Sequence, residues 1–166
     1  MQFATKARAL RLAGALVAVL AIAACAKNPA EDGGLAGAGA GYAAPGSQQD
    51  FVVNVGDRVF FDSDSVELTP TAQATLDKQA RWLQQYNRYS FTIEGHADER
   101  GTREYNFALG SQRAEATKNY LIARGISPAR MHTVSYGKER PVAVCNDISC
   151  WSQNRRAVTV LGAGQS

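Results

Sequence analysis

The apolar and polar positions divide the chain into three parts. The first contains an unbroken apolar run from Leu12 to Ala24, and the second, residues 26–49, is rich in glycine and alanine and has no apolar periodicity. Such a segment has too little apolar surface to bury, so it is predicted to form a disordered, flexible linker. The third part, residues 50–166, has regularly spaced apolar residues and is predicted to fold as one domain.

Two main helices are predicted within this domain. Thr69 and Pro70 are typical of a helix start, as the N-cap and the first helical residue. The apolar residues that follow at spacings of three and four are Ala72, Leu76, Ala80 and Leu83. The second helix is expected from about Arg103 to Arg124, with Gly125 as its C-terminal stop. The residues predicted to form its buried face are Tyr105, Leu109, Ala116, Tyr120 and Ala123.

Short apolar segments predict the strands. They are Val52–Val55 and Val59–Phe61 on either side of a Gly56-Asp57 turn, then Ser90–Glu94, Met131–Tyr136 and Ala157–Leu161. Strands that alternate with two helices indicate an α+β fold, an α/β sandwich with both helices packed on one side of a small mixed sheet.

The N-terminus has the pattern of an export signal. Lys6, Arg8 and Arg11 precede the apolar run, which is shorter than the roughly 17–25 residues that span a bilayer. The run ends in Ala23-Ala24-Cys25, which resembles the bacterial lipobox, where the chain is cut before the cysteine and the thiol is lipidated. Residues 1–24 are therefore predicted to be a lipoprotein signal peptide, and residues 25–49 a lipidated cysteine with its linker. An ordinary signal peptide followed by a chance cysteine is the alternative.

The charge and the remaining cysteines are consistent with an exported protein. The formal net charge is +3, and loss of the basic residues 1–24 leaves the rest near neutral, so no nucleic-acid partner is expected. Cys145 and Cys150 are predicted to form a disulfide in an oxidising compartment, and two thiols buried as small apolar groups are the alternative. Together with His96 and His132 they do not have the spacing of a zinc site, and neither a metal nor a cofactor is expected.

Three polar segments lie where predicted strands begin or end. They are Phe61-Asp62-Ser63-Asp64, Gly95–Gly101 and Asn154-Arg155-Arg156. Loops at strand ends commonly carry binding residues, so these segments are expected to contribute to one site. In the second predicted helix Asn106, Leu109 and Arg113 share a face, because they are spaced three and four apart.

The order of these motifs resembles the outer-membrane-protein-A-like (OmpA-like) family of peptidoglycan-binding domains. The resemblance covers residues 51–162 and rests on Gly95-His96-Ala97-Asp98, Asn106-x-x-Leu109-x-x-x-Arg113-Ala114, Tyr136-Gly137, Pro141 and Asn154-Arg155-Arg156. It implies a βαβαβ fold and a ligand, the diaminopimelate residue of the peptidoglycan stem peptide, which carries an ammonium and a carboxylate close together. Ala97 and Gly110 depart from the threonine and serine that many members have at these positions.

The resemblance also implies roles for single residues. Asp98 would bind the ammonium of the ligand and Arg113 its carboxylate, because a guanidinium matches a carboxylate with two parallel hydrogen bonds. The residues that would line the pocket are Asp64, Glu99 and Leu109, and those that would brace it are Asn106, Asn154 and Arg155. A purely structural ion pair between Asp98 and Arg113 is the alternative.

The function implied by the resemblance is a non-catalytic tether between the outer membrane and the cell wall. Ala26, directly after Cys25, favours sorting to the outer membrane by resemblance to proteobacterial lipoproteins. The implied partners are peptidoglycan, the outer membrane through the lipid anchor, and the β-propeller protein TolB with other Tol proteins. Another envelope lipoprotein of this family with a different partner is one alternative. A peptidoglycan hydrolase is the other, but no second motif supplies an acid beside Asp62 and Asp64, so no catalytic residue is assigned.

Overall fold

The computed structural model of the protein describes residues 43–162. The predicted signal peptide, Cys25 and most of the predicted linker lie outside the described residues. Within the described part, no helix is both long enough and apolar enough to cross a membrane.

Helices and strands alternate along the described chain. The α-helices are α1 (Gln48–Asp50), α2 (Pro70–Gln85), α3 (Arg103–Ala123) and α4 (Ile148–Asn154). The strands are β1 (Arg58–Phe60), β2 (Phe91–His96), β3 (Met131–Gly137) and β4 (Arg156–Leu161). A π-helical turn, Phe51–Gly56, follows α1, and a 3₁₀ turn, Pro128–Arg130, precedes β3.

The four strands form one mixed sheet in the order β1-β4-β2-β3. β2 is parallel to β3, whereas β4 is antiparallel to both of its neighbours, β1 and β2. Phe91 and Ile93, which lie on one face of β2, belong to the same buried cluster as Leu76 of α2 and Leu121 of α3. The predicted α+β fold, with two main helices on one side of a small mixed sheet, is therefore confirmed.

Helix α2 begins where the sequence predicts it. The Thr69 hydroxyl accepts a hydrogen bond from the backbone N–H of Ala72 at 3.2 Å, and Pro70 is the first helical residue. The predicted apolar face is buried, and Leu76 and Leu83 are buried completely. Burying a leucine side chain completely stabilises a fold by about 1.5–3 kcal/mol, so this face is a large part of the core.

The segment Phe51–Gly56 is helical, and the strand predicted for Val52–Val55 is wrong. Phe51 is completely buried, and Val55, one helical turn later, packs against the same core. Val52 and Val53 are both exposed. In a strand, adjacent residues would point to opposite faces, so spacing by four, and not alternation, describes this segment.

Packed residues begin ahead of residue 50. Gly46 is buried, and its carbonyl accepts hydrogen bonds from the Tyr89 hydroxyl at 2.8 Å and from Nη2 of Arg88 at 2.6 Å. The Asp50 carboxylate accepts one from the indole N–H of Trp82 at 2.8 Å. The end of the predicted linker is thus part of the packed domain.

Helix α3 has nearly the predicted bounds, but its predicted buried face is wrong. The residues that it buries are Asn106, Gly110, Arg113, Ala114, Thr117 and Leu121, whereas Tyr105 and Ala123 are exposed. The cause is a close helix–sheet contact, in which a Cβ at Gly110 would meet the backbone of Gly95 in β2 and the hydroxyl of Ser135. A buried face in which glycine and polar residues outnumber the apolar ones has no clear apolar period to detect.

Candidate ligand-binding site

A cleft of about 330 Å³ opens between the loop that follows β1, the loop that joins β2 to α3, and the first turns of α3. Its lining residues are Ser63, Asp64, Asp98, Arg100, Gly101, Tyr105, Asn106 and Leu109. None of these residues is histidine, cysteine or lysine. The cleft therefore offers carboxylates, a guanidinium and hydroxyls for binding, without the usual base of nucleophilic catalysis.

The loop between β2 and α3 is fixed by its own backbone and by α3. Gly101 has φ +86°, a conformation that glycine adopts readily, and Thr102 caps α3 by accepting a hydrogen bond from the N–H of Tyr105 at 3.2 Å. The buried amide of Asn106 donates to the carbonyls of Arg100 at 2.7 Å and Thr102 at 3.0 Å. Asn106, which the resemblance assigns to bracing the site, thus ties this loop to α3.

The Asp98 carboxylate is the buried acid of the cleft, with the residue 7% exposed. One oxygen accepts from the Arg100 backbone at 3.2 Å and from Nε of Arg100 at 3.0 Å, and the other from Nη2 of Arg100 at 2.6 Å and Nη1 of Arg155 at 3.4 Å. These bonds occupy the acceptor positions of a carboxylate. Burial alone would raise the pKa of Asp98, but the bonds and charge of Arg100, with the bond from Arg155, lower that pKa overall.

Arg100 is the exposed cation of the cleft and was not assigned by the sequence prediction. Its side chain is 45% exposed, and besides Asp98 it binds the Ser63 hydroxyl through Nη2 at 2.9 Å. Its guanidinium carbon lies 4.3 Å from the centre of the Trp151 ring. Among the described residues no hydrogen bond to Nη1 of Arg100 is found, so this nitrogen remains for a ligand.

Arg113 lies behind the cleft and is completely buried. Its guanidinium donates to the carbonyls of Ser65 at 2.9 Å, His96 at 2.9 Å and Asp62 at 3.1 Å. Burial, with the nearby charge of Arg155, lowers the pKa of Arg113 to about 10, so it stays positively charged at neutral pH. In the described part of the chain it forms no ion pair with Asp98, which excludes the structural ion pair as the reason for both residues.

Asp64 and Leu109, which the resemblance assigns to the ligand pocket, both lie in the lining of this cleft. Asp64 has φ +55°, in the left-handed region that aspartate tolerates better than most residues. Its carboxylate accepts a hydrogen bond from the Tyr105 hydroxyl. An unusual backbone conformation beside a cleft is common at functional sites.

Two of the predicted site residues lie elsewhere. Glu99 is not among the lining residues, because its carboxylate turns to the indole N–H of Trp151 at 3.0 Å. Asn154 binds the backbone of Val142 and Ala143 and so braces that loop, not the cleft. Of the residues expected to brace the site, Arg155 binds Asp98 and Asn106 binds the loop between β2 and α3.

Three residues of the cleft, Arg100, Tyr105 and Ser63, were not assigned to the site from the sequence, and at most a local pattern could have indicated them. Arg100 stands two positions after Asp98, where a backbone N–H can bond an aspartate side chain in a tight turn. Tyr105 was placed on the buried face of α3, but it is the partner of Asp64. Ser63 lies within a segment that the sequence marked as polar, with nothing to distinguish its hydroxyl.

The predicted disulfide forms between Cys145 and Cys150, whose Cα atoms are 5.7 Å apart. It excludes both cysteines from a zinc site. Among residues 43–162, no group of three or more histidine, cysteine or acidic side chains could hold a metal ion.

Comparisons with known proteins agree with the fold and the motif order. Residues 60–155 match the model of the OmpA family. A protein of Rhizobium meliloti (strain 1021) named peptidoglycan-associated lipoprotein is 66% identical over 154 residues, which are 92% of this chain and 88% of that protein. A protein of the same name from Pseudomonas aeruginosa is 52% identical over 97 residues, 58% of this chain and 57% of that protein.

Solved structures share the same fold. The crystal structure of the peptidoglycan-associated lipoprotein from Burkholderia pseudomallei has a TM-score of 0.62 and 44% identity, and covers 64% of this chain and 90% of that one. The C-terminal domain of Helicobacter pylori MotB has a TM-score of 0.60 at 20% identity, covering 64% of this chain and 84% of that one, and shows a common fold alone.

Proposed function

Because the chain belongs to the OmpA family, and within it to the peptidoglycan-associated lipoproteins, we propose that it is a non-catalytic outer-membrane lipoprotein whose domain binds the cell wall. The proposed ligand is the diaminopimelate residue of the peptidoglycan stem peptide. Residues 1–24 are the proposed signal peptide, Cys25 carries the lipid, and the domain faces the periplasm.

The observation that carries the proposal is a buried carboxylate beside an open cleft, surrounded by guanidinium groups. Asp98 has a lowered pKa, so it is ionised at neutral pH and can receive an ammonium. Its longest hydrogen bond, from Arg155 at 3.4 Å, is the one that a ligand ammonium can replace at least cost. The pKa of Arg113 is lowered by burial, and the nearby charges of Asp98 and Asp64 oppose that lowering. Both signs of charge that a zwitterion needs therefore lie close together.

The role proposed for Arg113 is to bind the ligand carboxylate from the back of the cleft. Each of its two terminal nitrogens donates to one backbone carbonyl and carries a second N–H. A fully buried guanidinium fixed by three carbonyls is already ordered before the ligand arrives. Preorganisation of this kind lowers the entropy lost on binding.

The proposed role in the cell is to tether the outer membrane to the wall as part of the Tol-Pal system, with TolB and other Tol proteins as partners. Because Gly46 already belongs to the packed domain, the tether is taken as residues 26–45, whose fully stretched reach is about 70 Å. A lipid-anchored domain could therefore search a layer below the membrane. Such a tether would support envelope integrity and constriction at division.

A pull-down with isolated cell walls tests the proposed function. Purified wild-type protein is expected to sediment with the walls, to be released by free diaminopimelate, and to release no soluble wall fragments. Failure to sediment would overturn wall binding, whereas release of fragments would identify a hydrolase. Lysine blocked at its α-amine and α-carboxyl is the matched competitor, because it keeps a side-chain ammonium without a neighbouring carboxylate, and it is expected to release little protein.

The lipid anchor is tested separately by mass spectrometry of the membrane-extracted protein. The expected mass lacks residues 1–24 and includes acyl chains on Cys25. A mature chain that begins at another residue and carries no lipid would overturn the anchor without affecting the wall-binding proposal.

A further inference from the structure

The short helix α4 is held in place at both of its ends. Near its start, the buried Cys150 is joined to Cys145, and at its end Asn154 bonds the backbone of Val142 and Ala143 through its carboxamide at 2.8–3.2 Å. An α-helix of seven residues has little stability of its own. The disulfide and Asn154 therefore fix the position of α4, and with it that of Trp151, which directly follows Cys150.

Trp151 makes two contacts with the loop between β2 and α3. Its indole N–H donates to the Glu99 carboxylate at 3.0 Å, and its ring lies 4.3 Å from the guanidinium carbon of Arg100. Trp151 thus contacts Glu99 through the edge of its ring and Arg100 through the face of its ring. A cation over an indole is the strongest of the common cation–π pairs.

Arg100 extends these contacts into the cleft. It holds the two oxygens of Asp98 through Nε and Nη2, and it also binds the Ser63 hydroxyl, while no described residue bonds Nη1. An arginine side chain that is 45% exposed would otherwise sample many rotamers. The contacts with Asp98, Ser63 and Trp151 hold its plane in one orientation at the mouth of the cleft.

We propose that Trp151, seated by the Cys145–Cys150 disulfide, is a positioning residue that orients Arg100 to bind a carboxylate of the ligand. The proposal rests on the proposed function of the same cleft and adds a second carboxylate-binding arginine to it. Arg113 binds from the back of the cleft and is fixed by backbone carbonyls, whereas Arg100 binds from the mouth and is fixed by side chains. A stem peptide offers more than one carboxylate, so both arginines can be used by one ligand.

The test compares the affinity of the full-length, detergent-solubilised protein for isolated cell walls. Trp151→Leu removes the ring and the N–H and is expected to weaken binding about fivefold. This factor corresponds to the loss of one partly exposed cation–π contact. Trp151→Phe keeps a ring face and is expected to recover most of the affinity. Ile148→Ala is the matched control, because Ile148 is an exposed residue of the same helix and should leave binding unchanged.

A double-mutant cycle separates positioning from a general structural effect. In an Arg100→Gln background, Trp151→Leu is expected to have no further effect, because Trp151 acts through Arg100. The Cys145→Ser/Cys150→Ser variant is expected to weaken binding in the same direction, with no further loss when Trp151→Leu is added. Wild-type affinity of folded Trp151→Leu, or a loss that persists in full in the Arg100→Gln background, would overturn the proposal. Failure of the wild-type protein to bind walls would overturn the proposed function, whereas the outcomes above would overturn only the role of Trp151.

Discussion

Helices α2 and α3 pack against the same sheet but bury different chemistry. α2 buries mainly apolar side chains such as Leu76 and Leu83, with Gln79 as its one buried polar residue, whereas α3 buries Asn106, Arg113 and Thr117. Each of these polar groups has hydrogen-bond partners within the domain, which offset the free energy of removing it from water. Polar side chains buried beside an open cleft thus distinguish the helix that forms the site from the helix that stabilises the fold.

This difference predicts that changes in α3 alter both stability and binding, whereas changes in α2 alter stability alone. The largest expected effect comes from Arg113→Ala. It leaves the carbonyls of Asp62, Ser65 and His96, of which His96 is buried, without their donor, and should lower the free energy of unfolding by about 3–5 kcal/mol. Urea denaturation measures this change, and wall binding by the remaining folded protein should fall at least tenfold. A stable variant that binds like wild type would remove Arg113 from both roles.

The two helices also show how far sequence predicts structure. α2 was predicted with its cap and its face, because four apolar residues repeat at helical spacing. The face of α3 was not, because its closest contact with the sheet requires glycine at 95 and 110 and polar residues alternate with the apolar ones that it buries. The strand predicted for Val52–Val55 is wrong, because valine favours strands in general, whereas tertiary packing gives Phe51–Gly56 its helical form.

Only part of the candidate site could be predicted, because some of its residues are brought together by the fold and not by a sequence pattern. Asp98 and Asp64 follow strands, where motif order identifies them, and both line the cleft. Arg100 and Trp151 meet only through the fold, since fifty positions of sequence separate them and no periodicity links the two. The family resemblance implies that Glu99 lines the pocket, but adjacent residues of a loop can point in different directions, and Glu99 binds Trp151.

Leu76→Ala sharpens the comparison from the side of α2. Leu76 is completely buried, so the variant should lose about 3 kcal/mol in the free energy of unfolding, from lost apolar burial and the cavity that remains. Wall binding, measured at a temperature where the variant is folded, should match that of the wild type. Exposed Val53→Ala is the control for stability. A loss of binding by folded Leu76→Ala would show that the two helices do not separate these roles.

His96 differs from the buried polar side chains of α3, because no hydrogen bond within the described part of the chain offsets the free energy of removing its ring nitrogens from water. It is 2% exposed, and among the described residues neither ring nitrogen has a hydrogen-bond partner, although Glu94 lies 3.6 Å from Nε2. Burial, with the charges of Arg156 and Arg140, lowers the pKa of His96 from 6.5 to about 4. Between these values the unfolded chain binds a proton that the folded chain does not, so stability falls as the pH falls from about 6.5 to about 4.

This loss should amount to about 2–3 kcal/mol in the free energy of unfolding. Urea denaturation at several pH values between 6.5 and 4 measures it. His96→Gln, which does not titrate, should flatten the profile between pH 6.5 and 4. An unchanged profile in that variant would assign the pH dependence to other groups.

The disulfide is expected to have the smallest effect on stability. Cys145→Ser/Cys150→Ser opens a short loop and should lower the free energy of unfolding by about 2 kcal/mol on the chain-entropy model. Thermal unfolding of the variant and of the reduced wild-type protein should show equal losses. An unchanged melting temperature in both would mean that Asn154 alone holds α4.

The central claim, that Asp98 and Arg113 bind a zwitterionic residue of the stem peptide, is tested most directly by calorimetric titration with two peptides. One contains diaminopimelate, and the other contains lysine at the same position, which lacks the side-chain carboxylate. The wild-type protein is expected to bind the diaminopimelate peptide at least tenfold more tightly, about 1.4 kcal/mol. Arg113→Lys should shrink this preference, because an ammonium cannot make the forked contact, and Asp98→Asn should weaken binding of both peptides. Equal affinity of the folded wild-type protein for the two peptides would contradict the account.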